Sequence, residues 1–247
     1  MKNNIGKTEI LILKIGKWKK EELKIKVIQD KKPVIIKPSS EIKVLGIVID
    51  SKLNWDAQVK SIRNKSINVT RNLHRINHTL PIKQRIQLYT SLTEPHFSYG
   101  DIIWGGCGVV NSQKLQIVQN FAAKSITGNK KRDSATKSLE KLKFLKLYQR
   151  RNIHECVFAH KSLTNNNPEN ICTTYQNQQS SANTRLAASH KLIPPKHRTS
   201  KYQHSPLYRT VTSWNQCNLA TFGDVPKHKR LLQKQLITIT YNTGPTH

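Results

Sequence analysis

Hydrophobic and polar positions alternate at helical spacing through the centre of the chain, most clearly between residues 56 and 76. There, apolar or small residues recur at alternating steps of three and four, which places them on one face of an α-helix. A helical wheel places a set of cationic residues on a separate face. The first face comprises Val59, Ile62, Ser66, Val69, Leu73 and Ile76, and the second comprises Lys60, Arg63, Arg71, His74 and Arg75. Such a helix packs on a core and presents positive charge on its other side.

The region before this helix has the pattern of short β-strands. Residues 7–13 predict one strand, and residues 23–27 alternate apolar and basic side chains as a half-buried strand does. Residues 34–36 lie between two prolines and predict an edge strand. Residues 44–49 predict a further strand that leads through a turn into the helix. We therefore expect one small antiparallel sheet in this part of the chain.

After residue 76, several segments again follow helical spacing. Glu94-Pro95 predicts a stop or a kink, because proline disfavours helical geometry in the residue before it. Residues 165–181 are polar and predict a surface loop or linker, whereas residues 226–239 predict a last helix with basic side chains. The predicted fold class is α+β, with a small N-terminal antiparallel sheet followed by a mainly α-helical region.

The net charge of the chain is the strongest indication of what kind of partner it binds. The chain of 247 residues carries 42 Lys+Arg against 14 Asp+Glu, a net charge of +28. Self-repulsion at this charge destabilises a compact state unless a polyanion offsets it, so nucleic acid is the expected partner. No apolar run of about 18 residues predicts a transmembrane helix, and no signal-peptide pattern occurs. We expect a nuclear or cytoplasmic protein that is not secreted and has no membrane partner.

Candidate catalytic and metal-binding patterns are few. None of the six aspartates is adjacent to another, and the four cysteines form no CxxC pair. His154-Glu155 begins a pattern typical of zinc hydrolases, but the fifth position is Phe158. Three tryptophans are expected in the core rather than against a base; these are Trp55, Trp104 and Trp214. The prediction is therefore no catalytic residue and no metal ligand in this chain.

Ordered motifs along the chain nevertheless resemble those of one family. The segment from Val44-Leu45-Gly46 to Trp55 is similar to the primer-grip pattern YLG…LD..L.W of jockey-type non-LTR retrotransposon reverse transcriptases. Leu88-Tyr89 and Ile103-Trp104-Gly105 lie within a segment that matches LY.SL..P...Y...VWG of the same family. Tyr208-Arg209 and Ser213-Trp214-Asn215 resemble its closing Y.GP.LWN..P pattern, with Thr210-Val211 in place of Gly-Pro.

The resemblance implies the C-terminal part of an RNA-directed DNA polymerase. It implies that residues 1–54 are a palm remnant with the primer-grip strand and that residues 55–164 are a helical, thumb-like region. Residues 165–204 would be a polar and basic linker, and residues 205–247 a C-terminal helical segment. The family's metal-binding aspartates lie upstream of these motifs, so we expect no bound cofactor here and Mg²⁺ only in an intact parent polymerase.

The expected partner is an RNA or DNA template–primer, together with the missing palm and fingers of a polymerase. The residues expected to contact nucleic acid are Lys7, Leu45, Gly46, Lys60, Arg63, Arg71, His74 and Arg75. One alternative is a domesticated or decayed basic protein that binds a protein or RNA without polymerase activity. Another is an open-reading-frame remnant that folds poorly. The sequence leaves these alternatives open.

Overall fold

The computed structural model describes residues 8–13, 25–29, 32–164, 169–176, 191–216, 227 and 229–234. The chain divides into two compact units, Met1–Ser61 and Ile62–His247. The described part has antiparallel strands near its N-terminal end, followed by a series of helices. The predicted α+β fold class is therefore confirmed.

The first unit contains two separate two-stranded antiparallel sheets, where the sequence predicted a single sheet. Strand β1 (Ile25–Gln29) pairs with β2 (Lys32–Ile36), and β3 (Glu41–Val44) pairs with β4 (Ile47–Asp50). Each sheet is a hairpin between consecutive strands. Pairing of strands that are close in the sequence costs little loop entropy.

The prediction of one strand over residues 44–49 was wrong. Leu45 and Gly46 separate β3 from β4, and both have positive φ angles of 47° and 86°. Two consecutive positive φ angles are typical of a type I′ hairpin turn, which reverses the chain. The apolar run is thus divided between two paired strands.

The predicted strand over residues 7–13 is also not formed among residues 8–13, which the structure describes. Leu11 makes an isolated parallel bridge with Ser39, and the Ser39 N–H donates to the Ile10 carbonyl at 2.7 Å. The chain bends at Ser40 and then enters β3, which pairs with β4. Because the segment after Ser39 turns away, the pairing does not extend.

Helix α1 (Asp56–Arg75) follows β4, and helices dominate the second unit. The later helices are α2 (Ile82–Leu88), α3 (Glu94–Ser98), α4 (Asp101–Trp104), α5 (Gly108–Thr127), α6 (Ala135–Leu142), α7 (Leu147–Leu163), α8 (Glu169–Gln176), α9 (Ser200–Gln203) and α10 (Pro206–Gln216). Residues 229–234 are also helical, and most of the rest of the predicted last helix lies outside the described residues. Helical spacing in the sequence thus predicted α1 and indicated further helices after residue 76, without giving their bounds.

The helix does not stop at Glu94-Pro95. A π-helical turn, Tyr89–Thr93, joins α2 to α3, and the Glu94 N–H donates to the Tyr89 carbonyl. Proline lacks an N–H and is tolerated only in the first turn of a helix. The π turn changes the hydrogen-bond register so that Pro95 falls in the first turn of α3.

Part of the predicted linker is helical. Helix α8 lies within residues 165–181 and buries Cys172 and Tyr175, three residues apart on one face. Tyr175 packs in a cluster with Ala159 of α7 and Trp214 of α10. The polar composition of this segment predicted a loop because four of its polar side chains, Glu169, Asn170, Thr173 and Thr174, are exposed.

The core of the second unit is built mainly on α5 and α7. An apolar stripe on α5 is buried at Leu115, Val118, Ala122 and Ile126. Trp55, Trp104 and Trp214 are all buried, as predicted. On α7, Ile153 and Cys156 pack with Leu145 and with Leu232 from the last helical segment. These contacts hold the ends of several helices close to α7.

The turn between α6 and α7 has an unusual residue at its sharpest point. Lys143 has a φ of 54°, and the Phe144 N–H donates to the Leu139 carbonyl at 2.9 Å. This is the left-handed helix end that glycine most often occupies. Lys143 therefore adopts with its side chain a conformation that glycine takes more readily.

Candidate nucleic-acid interface

The β3–β4 turn presents an exposed leucine at its tip. Leu45 is 86% exposed and has a positive φ, a conformation that is unfavourable for a residue with a side chain. Gly46 takes the next position without such a penalty. The hairpin therefore holds an apolar side chain in solvent at its tip.

Asp50 organises the passage from β4 to α1. Its carboxylate accepts hydrogen bonds from the backbone N–H groups of Lys52 at 3.0 Å, Asn54 at 3.1 Å and Trp55 at 2.7 Å. Leu53 and Trp55 both have positive φ angles, so the turn is tightly coiled. One carboxylate thus satisfies three donors that the turn would otherwise leave to solvent.

A side-chain contact also fixes α1 relative to β4 within the first unit. The carboxamide oxygen of Gln58 accepts a hydrogen bond from the Val48 N–H at 2.9 Å, and Gln58 is itself buried. Trp55 and Val59 are buried beside it. Because β4 and the start of α1 share this contact, the orientation of the first turn of the helix is determined.

The cationic face of α1 is exposed, as the helical wheel predicted. Lys60, Arg63, Arg71 and Arg75 are all exposed to solvent. Among the described residues, none of these four side chains has a hydrogen-bond or ion-pair partner. On the opposite face Val59, Ile62, Ser66 and Leu73 are buried, whereas Ile76, just after the end of α1, is 44% exposed. The four charges therefore point away from the protein surface that α1 covers. This arrangement suits contact with a polyanion such as nucleic acid. Contacts to its phosphates do not depend on the base sequence.

His74 differs from the other predicted contact residues. Its Nδ1 lies 3.0 Å from the Ser125 Oγ, and its ring lies 5.3 Å from the Phe121 ring. These contacts tie the last turn of α1 to α5. His74 therefore has a packing role that its position on the cationic face did not reveal. Lys7, another predicted contact residue, lies outside the described residues.

A second polar site, which the sequence did not predict, is buried between α4, α7 and α10. His154 Nδ1 lies 2.6 Å from Asp101 Oδ2, and the Asp101 side chain is nearly inaccessible. Arg209 of α10 forms an ion pair with Glu155, which also accepts a hydrogen bond from the Ser213 hydroxyl at 2.5 Å. These bonds join three helices through charged groups.

Arg151 belongs to the same polar site. Its guanidinium lies 5.0 Å from the centroid of the Trp104 ring, and its Nη1 donates to the Ser112 hydroxyl at 2.8 Å. Burial lowers the pKa of the guanidinium from its ordinary value, and nearby Asp101 opposes that shift. The group remains cationic at neutral pH, because an arginine side chain loses its proton only at very high pH.

Two glycines allow the helices to approach at this site. A Cβ on Gly105 would lie 2.3 Å from the Asp101 carbonyl oxygen and 2.7 Å from Arg209 Nη2. A Cβ on Gly106 would lie 2.1 Å from the His204 carbonyl oxygen. Both distances to backbone oxygens are far below van der Waals contact. The Trp-Gly-Gly sequence is therefore required by packing.

Two parts of this site are visible in the sequence, His154-Glu155 and Arg209. The first lies in a pattern that resembles a zinc motif and the second in a family motif, so neither pattern predicts that Glu155 and Arg209 pair. Among the described residues, no group of three or more His, Cys, Asp or Glu side chains is arranged to hold a metal ion.

Within the same part of the chain, no helix has the length and apolar character needed to cross a membrane.

Comparison with known proteins gives one partial similarity. A stretch of 97 residues is 27% identical to a Drosophila melanogaster protein described as a probable RNA-directed DNA polymerase from transposon BS. The stretch covers 38% of this chain and 11% of that protein, so the chain corresponds to a small part of the relative's length. No model of a protein family matches the chain, and no solved structure matches it. The similarity supports a reverse-transcriptase-related origin.

Proposed function

We propose that this chain is the primer-grip and thumb part of a jockey-type non-LTR retrotransposon reverse transcriptase, and that it binds a template–primer. The observation that carries the proposal is the exposed cationic face of α1, which directly follows the turn built on Asp50. The spacing of the family's LD..L.W motif has a physical basis in this turn. Asp50 and Trp55, which the motif specifies, are hydrogen-bonded to each other through the Trp55 N–H.

In this proposal, Leu45 and Gly46 contact the primer strand near its end. Lys60, Arg63, Arg71 and Arg75 neutralise phosphates, with His74 beside them at the end of α1, and Lys7 adds a further charge. Contacts of this kind position a protein on nucleic acid without reading its sequence. The net charge of +28 favours association with any such polyanion. In addition to nucleic acid, the chain would bind the remaining palm and fingers of a polymerase.

The chain binds nucleic acid in this proposal but does not extend a primer. Nucleotidyl transfer uses two metal ions about 3.5–4 Å apart, held by carboxylates. The buried carboxylates of the described residues do not fit this role, because Asp101 is paired with His154 and Glu155 with Arg209. Asp50 is committed to three backbone N–H groups. We therefore assign no catalytic residue to the chain.

A paired assay tests both parts of the proposal. The purified chain is incubated with a labelled template–primer, nucleotides and Mg²⁺ or Mn²⁺, and retention on a filter and primer extension are measured on the same samples. We expect retention without extension. Incorporation by the pure protein would refute the absence of catalysis. Failure to retain the template–primer at low salt would refute the binding function and favour a protein-interaction role.

A further inference from the structure

A cavity of about 250 Å³ lies in the second unit, between α7 and α10. Charged groups form part of its lining, and aromatic and neutral polar side chains form the rest. Glu155, Arg151 and Arg209 contribute from the buried polar site described above. The neutral side chains are Tyr148, Asn152, Gln203, Tyr208, Thr212 and Ser213. We call this space the α7–α10 cavity.

Arg209 and Glu155 are paired with each other, and Arg151 is hydrogen-bonded through Nη1, whereas its buried Nη2 has no hydrogen-bond partner among the described residues. Arg209 is bound to Glu155, and its Nη1 also lies 3.5 Å from the Ile102 carbonyl oxygen. Arg151 donates to Ser112 and lies against Trp104. A phosphate would have to compete with Glu155 for Arg209, and the Glu155 carboxylate would repel it. The cavity is therefore better suited to a neutral ligand than to an anion.

Two neutral side chains at the cavity remain available. Tyr148 and Asn152 lie four residues apart on α7, which places them on the same side of the helix. Among the described residues, neither the Tyr148 hydroxyl nor the Asn152 carboxamide has a hydrogen-bond partner. Tyr148 is 53% exposed, although a large aromatic side chain is normally more buried. The pair offers a flat aromatic surface next to a group that both donates and accepts hydrogen bonds.

The size of the cavity restricts the ligand further. Sites for drug-sized ligands and cofactors occupy about 300–1,000 Å³. At about 250 Å³, the α7–α10 cavity is smaller than this range and suits one planar ring system. Nucleobases extruded from single strands are bound by stacking on aromatic rings and by hydrogen bonds to their edges.

We propose that the α7–α10 cavity receives one unpaired base of a single-stranded RNA or DNA segment. The base stacks on Tyr148, and Asn152 forms hydrogen bonds with its edge. This inference rests on the proposed nucleic-acid binding and adds to it a contact that depends on a base. The cationic face of α1 would bind the phosphates, whereas the cavity would hold part of an unpaired strand.

The test compares two single-stranded oligomers of the same length and charge, oligothymidylate and a fully abasic oligomer, by fluorescence anisotropy. We expect the full chain to bind oligothymidylate about tenfold more tightly, the size of effect that aromatic stacking on a base gives. Tyr148→Ala and Asn152→Ala should each reduce this preference. Tyr148→Phe should retain most of it, since the ring remains. Tyr99→Ala is the matched control, because Tyr99 is 58% exposed and does not line the cavity.

The outcomes separate this inference from the proposed function. If both oligomers bind with a strong salt dependence but Tyr148→Ala leaves their affinity ratio unchanged, the cavity proposal is wrong and the phosphate-binding function stands. If neither oligomer binds at low salt, both proposals fail. Circular dichroism and thermal melting confirm that each variant is folded, which is expected because Tyr148 is exposed and Asn152 is only partly buried.

Discussion

At the scale of single residues, Asp50 shows how one side chain determines a change from strand to helix. Its carboxylate accepts three backbone hydrogen bonds from the turn that precedes α1. Trp55, which supplies the shortest of them, is buried. Without the carboxylate, a partly buried N–H would lose its partner, and leaving such a donor unsatisfied costs about 1–3 kcal/mol.

We therefore expect Asp50→Ala to lower the free energy of unfolding by about 1–3 kcal/mol, measured by urea denaturation. Asp133→Ala is the control, because the Asp133 carboxylate accepts one N–H, that of Lys130, in an exposed turn. The control should lower the free energy of unfolding by less than about 1 kcal/mol, since water can replace the carboxylate there. Equal losses for the two variants would contradict the role given to Asp50.

Lys143 provides a residue-scale test in the opposite direction. Its positive φ costs about 1–2 kcal/mol relative to glycine. Replacing it by glycine also makes the unfolded chain more flexible, which costs about 0.4–1 kcal/mol. Lys143→Gly should therefore stabilise the protein, by up to about 1.6 kcal/mol.

Lys141→Gly is the matched control for that substitution. Lys141 lies in the last turn of α6, where glycine should destabilise the helix by up to about 1 kcal/mol. The same chemical change two positions apart should thus have opposite signs in thermal or urea unfolding. Destabilisation by both substitutions would show that the left-handed conformation of Lys143 carries no strain.

At the scale of elements, charged side chains rather than apolar ones join α7 to α10 at one point. Glu155 is buried and binds Arg209 and Ser213 of α10. Removing one partner of a buried ion pair leaves the other charge without compensation and costs about 3–5 kcal/mol. Glu155→Gln should therefore lower the free energy of unfolding by roughly that amount.

Glu94→Gln is the control for the buried pair. Glu94 pairs with Arg150, but both side chains are partly accessible to water. A solvent-exposed pair contributes about 0–1 kcal/mol, so this variant should be close to the wild type in urea denaturation. If Glu155→Gln were as mild as Glu94→Gln, the Glu155–Arg209 pair would not hold the two helices together.

The cationic face of α1 gives the functional test at the element scale. The triple variant Lys60→Ala, Arg63→Ala, Arg71→Ala should bind a template–primer at least about tenfold more weakly, because three phosphate contacts are lost. The control removes three exposed charges elsewhere, at Lys130, Lys131 and Arg132. This control variant lowers the net charge by three, as the α1 variant does. A similar loss of affinity in both variants, measured by filter binding, would mean that overall charge and not this face binds nucleic acid.

At the scale of the whole molecule, the sequence predicted elements better than contacts. The stripe of Val59, Ile62 and Leu73 predicted α1 and its buried face, because a regular helix places residues three and four apart together. The split of the 44–49 strand was missed because leucine rarely takes the positive φ that Leu45 adopts. Its neighbour Gly46 was the available signal.

The buried polar site could not be found by spacing. Asp101 and His154 are far apart in the sequence, as are Glu155 and Arg209, and each pair meets only through the packing of α4, α7 and α10. Local periodicity describes one helix at a time and contains no information on which faces meet. The Trp-Gly-Gly segment was a partial signal, since both glycines are required where neighbouring atoms approach closely.

The central claim is that this basic chain binds nucleic acid through its phosphates. The most direct measurement is the affinity of the full chain for a template–primer across a series of salt concentrations. We expect the logarithm of the association constant to fall linearly with the logarithm of salt, with a slope of about −0.9 for each phosphate neutralised on a duplex. Four contacts from α1 would give a slope of about −3.6 or steeper. An affinity that does not change with salt would contradict the account.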